Sequence, residues 1–396
     1  MKLKNNLIFK LVLGVAFGIL LGLVSSKEVI VVVATIKYFL GQVISYCIPL
    51  IIIGFIAPSI VKMKSKASKM LGITVIIAYL SSIGAATFSA ISGYAIIPNL
   101  SISNTAEGLR KIPEIMFKLK IPPIMSVMTS LVTAILIGLS TVWTKSELVE
   151  KLLDQFQNMM LSIVTKVILP ILPFFIATTF AGLVYEGGIT KQLPVFLIVI
   201  VIVLIGHFIW LTLLYFIAAI VSKENPLEVI KHYGPTYLTA VGTMSSAATL
   251  PVALKCAHKS KVLKSDIVDF SVPLCSTIHL CGSILTETFF VMTVSQVVYG
   301  SLPSFGSMIQ FVILLGIFGI GAPGVPGGTV MASLGLITGI LGFNDSAVAL
   351  VLTIFALQDS FGTACNMTGD GAITLILSGL VQRRSIKQKS NIKTGM

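Results

Sequence analysis

Residues 195–221 read VFLIVIVIVLIGHFIWLTLLYFIAAIV, with one histidine and no lysine, arginine, aspartate or glutamate. A run of about 20 apolar residues can cross the hydrocarbon of a bilayer as a helix. Comparable runs occur near 7–25, 29–60, 71–98, 122–143 and 158–185, and this one extends over 193–221. They are continuous rather than alternating, which fits helices and not barrel strands. Only 11% of the 396 residues are charged, against about 25% in soluble domains, and the mean hydropathy is +0.99. The chain is therefore read as an all-α integral membrane protein. The opening MKLKNN and its apolar sequel have the outline of a signal peptide. No convincing small-residue cleavage site follows, and further spans do, so they are read as the first transmembrane helix.

A net charge of +13 invites a nucleic-acid reading, but the basic residues sit at span ends. They are Lys2 and Lys4; Lys62, Lys64, Lys66 and Lys69; Lys255, Lys259, Lys261 and Lys264; and Arg383, Arg384, Lys387 and Lys389. The positive-inside rule produces this pattern, and no nucleic-acid partner is expected. With a cytoplasmic N-terminus, the Lys62–Lys69 loop and SKENPLEVIKH are also cytoplasmic. The segment 99–121 is then outside despite Arg110, Lys111, Lys118 and Lys120, which Glu107 and Glu114 partly offset. The five cysteines (Cys47, Cys256, Cys275, Cys281, Cys365) show neither metal-ligand nor disulfide spacing and read as packing thiols, Cys281 excepted.

The last part of the chain is apolar but interrupted. Segment 306–341 contains GIGAPGVPGGT, whose two prolines and five glycines cannot continue a regular helix. Its flanks are each too short to span comfortably. A re-entrant hairpin accounts for both facts: helix, unwound tip, helix. Unwound backbone at membrane depth is tolerated only against protein or a water-filled cavity. Segment 235–254, broken by glycine, Ser245-Ser246 and Pro251, reads as a smaller hairpin. Two interrupted apolar segments point to a midplane substrate site in a secondary transporter.

LQDSFGTACNMTGDGAI, 357–373, carries Asp359, Thr363, Asn366 and Asp370 at spacings of 4, 3 and 4. At about 100° per residue they share one helix face, a polar stripe roughly 16 Å long. A structural seam is the plain alternative. Yet two carboxylates at membrane depth need a proton, a cation or a ligand amine, and no arginine or lysine lies in the apolar part of the last four segments. The span 267–298 carries Thr277, His279, Cys281, Ser283 and Glu287 mid-membrane. Unwinding around Thr277–Gly282 would expose carbonyls suited to sodium. His279 is either a hydrogen-bonded core histidine or a titrating group. Glu287 is either protonated and hydrogen-bonded or a proton carrier, and the same state serves both.

Four motifs in order, the serine-rich tip with TLPV at 249–252, PLCSTIHLCGS at 273–283, GVPGG at 324–328 and NMTGD at 366–370, resemble the glutamate-transporter family of dicarboxylate/amino acid:cation symporters. LQDS at 357–360 is most similar to its bacterial neutral amino acid (serine/threonine) branch. The resemblance implies eight transmembrane helices plus two re-entrant helical hairpins, working as an elevator-type transporter. It implies that 1–230 is mainly a scaffold for a homotrimer, with helices 3 and 6 left open to move with the core. Residues 231–381 would be the transport core and 382–396 a basic cytoplasmic tail. Residue by residue, it implies that Asp359 binds the substrate amine and Asn366 the α-carboxylate. Thr363, Ser283, Ser245 and Ser246 would contact substrate, with Val325 and Gly328 over it. Asp370 would ligate sodium beside carbonyls of Asn366 and His279, and Thr277 would supply a carbonyl under the second hairpin.

Two departures shape the expectation. Acidic-substrate members have an arginine where this chain has Gly362, and some have another where it has Met244. A bidentate arginine is the natural anchor for a carboxylate, so a neutral amino acid such as serine, threonine or alanine is expected. Gly362 is read as adding room, leaving a larger neutral side chain open. The family's NMD is His279-Leu280-Cys281, and a thiol is a poor sodium ligand. Tyr79 and Ser82 are read as the remaining part of that deep site. Fewer sodium ions, or a proton carried by Glu287 and His279, are expected. An acidic or C4-dicarboxylate substrate is the alternative. A channel lacks a continuous polar pore. An enzyme is not expected, because Ser245, Ser246, His279 and Asp370 show no nucleophile–base spacing. A receptor would need neither hairpins nor a buried cation site. Short loops point to a prokaryotic plasma (inner) membrane, with both termini cytoplasmic.

Overall fold

The computed structural model describes residues 7–65, 69–100, 113–125, 127–187, 189–322, 324 and 326–394, and among these every regular element is helical. The first half holds α1 (Leu7–Val24), α2 (Lys27–Ser65), α3 (Lys69–Ile96), α4 (Val127–Thr144), α5 (Glu147–Ile163), α6 (Leu169–Glu186) and α7 (Ile189–Ser222). The second holds α8 (Leu227–Ile230), α9 (Gly234–Thr243), α10 (Ser246–Ala257), α11 (Ser265–Ile278), α12 (Cys281–Tyr299), α13 (Phe305–Gly321), α14 (Gly328–Gly339) and α15 (Asp345–Thr394). Four stretches among the described residues are long and apolar enough to cross a membrane: Met70–Asn99, Val195–Ser222, Ser265–Tyr299 and Asp345–Val381.

One expected span is divided. The run near 158–185 falls across α5 and α6, which meet through a π-helical turn at Val164–Ile168. The bend between 147–168 and 173–182 is 49°. The α5 sequence, ELVEKLLDQFQNMMLSI, is amphipathic, so its apolar residues form a stripe and not a continuous run. That places the true helix start eleven residues before the apolar segment begins. Residues 101–112 of the expected outside loop are not described. The backbone N–H groups of Met116 and Ile121, farther along it, donate to Thr35 Oγ1 (3.0 Å) and Gln42 Oε1 (3.1 Å) on α2.

Both interrupted segments are helical hairpins. The tip between α9 and α10 turns at Met244, which takes left-handed backbone (φ 52°), and Ser245 caps α10 by accepting from the Ala248 N–H at 3.3 Å. α13 and α14 flank the second tip, where Gly327 (φ 72°) opens α14. That left-handed position suits glycine. The expected unwinding between α11 and α12 is narrower than 277–282: only His279 and Leu280 leave the helix. α15 runs unbroken through the polar stripe, its N-terminus capped by Asn344 Oδ1 on the Ala347 N–H (2.9 Å).

The helices pack as two groups joined through the second hairpin, whose α13 and α14 also lie on α2, and α14 on α4. α1 lies on α6, and α2 on α4, α5 and α6. α15 packs on α7, α9 and α11 as well as on α12, and α12 and α13 pack on α3. The second group encloses the polar residues. Ser276, His279, Ser283, Thr286, Glu287, Ser333, Asp359, Thr363, Asn366 and Asp370 are all buried there.

Candidate functional site

The site forms where two hairpin tips and the α11–α12 break converge on the α15 stripe. Ser245 Oγ donates to the Gly324 carbonyl at 2.9 Å, so the two tips touch. Ser246, buried as the first residue of α10, lies against Gly324. Asp359 Oδ2 accepts from the Gly327 N–H at 2.6 Å, which joins α15 to the second tip. Gly328 is buried directly after it, and Val325 lies outside the described residues. Thr363 is buried one turn below Asp359 on the same face.

Asn366 binds the break. Its Oδ1 accepts from the N–H groups of Gly282 (2.7 Å) and Ser283 (3.1 Å), and its Nδ2 donates to Ser283 Oγ (2.9 Å). The first N–H groups of a helix have no partner within it; here one amide side chain satisfies two of them at the start of α12. His207 on α7 holds the same turn from behind, with Nε2 3.1 Å from the Gly282 carbonyl and 2.9 Å from Thr286 Oγ1.

Asp370 is bonded through Oδ1 to His279 Nδ1 at 2.9 Å, and His279 Nε2 is 2.9 Å from Ser81 Oγ on α3. Glu287 Oε1 accepts from Ser333 Oγ on α14. Glu287 Oε2 and Asp370 Oδ2 are buried without a hydrogen-bond partner among the described residues. Thr277 is exposed, its hydroxyl bonded back to the Leu274 carbonyl (2.7 Å).

One expectation needs correction. Gly362 adds no room: a Cβ there would stand 3.2 Å from Ser283 Cα and Oγ, because α15 and α12 close on each other at this glycine. The Tyr79 hydroxyl donates to the Ile313 carbonyl on α13 (3.3 Å). Ser82 is buried with a hydroxyl lacking a partner among the described residues. The sequence reading missed Ser81, His207 and Ser333. A polar residue inside an apolar run is the only signal they carry, and many such residues simply bond their own helix.

Broken helices, two touching hairpins and buried carboxylates without a lysine or arginine are the architecture of a secondary transporter core. The profile of the sodium:dicarboxylate symporter family matches residues 7–380, and the chain belongs to that family. It is 27% identical over 228 residues to excitatory amino acid transporter 2 of Mus musculus, which covers 56% of this chain and 39% of that protein. It is 29% identical over 224 residues to excitatory amino acid transporter 1 of Rattus norvegicus, covering 55% and 40%. The matches thus span less than half the length of these curated relatives.

Proposed function

We propose that the chain is a secondary active symporter that moves a small neutral amino acid, such as serine, threonine or alanine, together with a cation. The observation that carries this is a charge count. From Ser265 to Val381 there is no lysine or arginine, while Asp359, Asp370 and Glu287 are buried. Asp359 offers a carboxylate to a substrate amine, and the first hairpin tip and Asn366 offer N–H and hydroxyl groups to its α-carboxylate. A second substrate carboxylate would meet buried acids and no basic anchor. Burying such a charge unpaired is costly.

The cation is sodium, by the family's name. Carbonyls near Thr277, where the α11 ladder ends, would serve as oxygen ligands for one ion. The core 231–381 with α3 and α7 moves as one body against α1, α2 and α4–α6, in elevator fashion; the packing groups support this division. Eight membrane crossings, a homotrimer and cytoplasmic termini in a prokaryotic plasma membrane complete the reading and accord with the family resemblance.

A panel of amino acids tested for thermal stabilisation of the purified protein in sodium chloride checks the substrate class. Serine, threonine or alanine should raise the melting temperature and aspartate should not. Stabilisation by aspartate or a C4-dicarboxylate alone would replace the reading with the acidic alternative, which the names of the excitatory amino acid transporter relatives favour. The half-satisfied Glu287 favours a second coupling route, by protons. Uptake with a steep pH dependence that survives both His279→Asn and Glu287→Gln would exclude that route.

A further inference from the structure

The surroundings of Asp370 do not match a sodium site. A hard cation is held by several oxygens. Asp370 instead faces the His279 imidazole, with Nδ1 2.9 Å from Oδ1, and both side chains are wholly buried. Ser81 holds the far ring nitrogen at 2.9 Å, so the ring is fixed from both ends. Gly369 is the residue that admits it. A Cβ there would stand 2.9 Å from the ring's Cε1 and 3.3 Å from Cys281 Sγ. On the other side, a Cβ on Gly371 would stand 2.6 Å from the Tyr215 hydroxyl and 2.8 Å from the Tyr233 ring. The Tyr215 hydroxyl, which donates to the Thr368 carbonyl (2.9 Å), and the Tyr233 ring thus pack on α15 one residue beyond Asp370.

One carboxylate oxygen of Asp370 is taken by the His279 ring, and Asp370 Oδ2 is buried without a partner among the described residues. Asn366 Oδ1 is occupied by two N–H groups. The Tyr79 hydroxyl donates to the Ile313 carbonyl. The Tyr233 hydroxyl, beside Gly371, is buried and lacks a partner among the described residues.

Granting that the chain is the sodium-coupled symporter proposed above, we infer that His279 takes the cation's place at Asp370. Its N–H donates to the carboxylate where a sodium ion would otherwise sit, so this chain binds no sodium there and couples fewer sodium ions than a relative with asparagine at that position. The substitution that removed the deep-site asparagine therefore closed the neighbouring site as well, through one ring.

The test uses the purified full chain without substrate. Its melting temperature is measured as sodium chloride replaces choline chloride at constant ionic strength, for the unaltered protein, Asp370→Asn, His279→Asn and the double variant. The sodium-induced rise should be the same in the unaltered protein and Asp370→Asn. His279→Asn should gain a further rise that the double variant loses. A sodium-induced rise that shrinks in Asp370→Asn alone would overturn the inference, and this pair decides the matter even where His279→Asn does not fold. As a second readout, the log–log slope of serine affinity against sodium should steepen by about one in His279→Asn, as linkage requires for one added ion; an unchanged slope would count against the inference. Absence of serine binding would overturn the substrate reading and leave the melting comparison to decide Asp370. Absence of any sodium effect in the unaltered protein would remove sodium from the proposed function and agree with the inference.

Discussion

Asp359 on α15 and Gly327 at the second hairpin tip are joined by a 2.6 Å hydrogen bond from the backbone N–H to Oδ2. The residue proposed to bind the substrate amine also holds the hairpin above it. Asp359→Asn keeps an oxygen for the Gly327 N–H and loses the charge. Serine binding should weaken about 10- to 100-fold, the size of a hydrogen bond to a charged group. Amide exchange at Gly327–Thr329 should stay slow in Asp359→Asn and quicken in Asp359→Ala. Unchanged serine affinity in Asp359→Asn would place the amine elsewhere.

Asn366 is expected to matter for folding as much as for binding. Asn366→Ala strands two buried N–H groups and the Ser283 hydroxyl at the α11–α12 break. Leaving a buried donor unpaired costs about 1–3 kcal/mol, so the variant should be clearly less heat-stable in detergent without substrate. A melting temperature equal to that of the unaltered protein would mean that the break does not depend on this amide.

Gly362→Arg should not create an acidic-substrate carrier by itself. The Cβ alone would press on Ser283 backbone and hydroxyl at 3.2 Å, and overpacking of this kind costs about 1–3 kcal/mol. Ser283→Gly would relieve only the hydroxyl, because Cα and N of residue 283 remain at 3.2 and 3.3 Å. Aspartate uptake by Gly362→Arg, measured beside serine uptake, should stay at background. A gain of aspartate transport would show that α12 yields at this contact.

The stripe on α15 and both hairpins were legible because their signals are local. Asp359, Thr363, Asn366 and Asp370 share a face only if the helix is unbroken, and α15 is. Prolines and glycines at 319–329 mark the second tip wherever the rest of the chain packs. The partners were not legible. Nothing in the spacing of α3 says that Ser81 rather than Ser82 meets His279, or that Ser333 meets Glu287, since periodicity describes a helix's own face and not its neighbour's. Gly362 shows the same limit: absence of a side chain reads as space until the opposing helix is known to fill it. The α5–α6 division was hidden for another reason. An amphipathic helix followed by a bend leaves half of its length outside an apolar-run search.

Glu287 and Ser333 form a buried pair between α12 and α14. Ser333→Ala would leave Glu287 with neither oxygen paired among the described residues and should destabilise by about 1–3 kcal/mol. In a Glu287→Leu background the same change should cost much less. The difference, read as a double-mutant cycle on thermal unfolding, should be positive; additivity of the two substitutions would mean that the contact contributes nothing to the second hairpin.

Uptake of labelled serine into proteoliposomes under an inward sodium gradient, with excess unlabelled aspartate as competitor, tests the neutral-substrate symporter most directly. Sodium-driven serine uptake that aspartate does not reduce is the expected result. Uptake abolished by aspartate, or labelled aspartate accumulated in preference to serine, would contradict it.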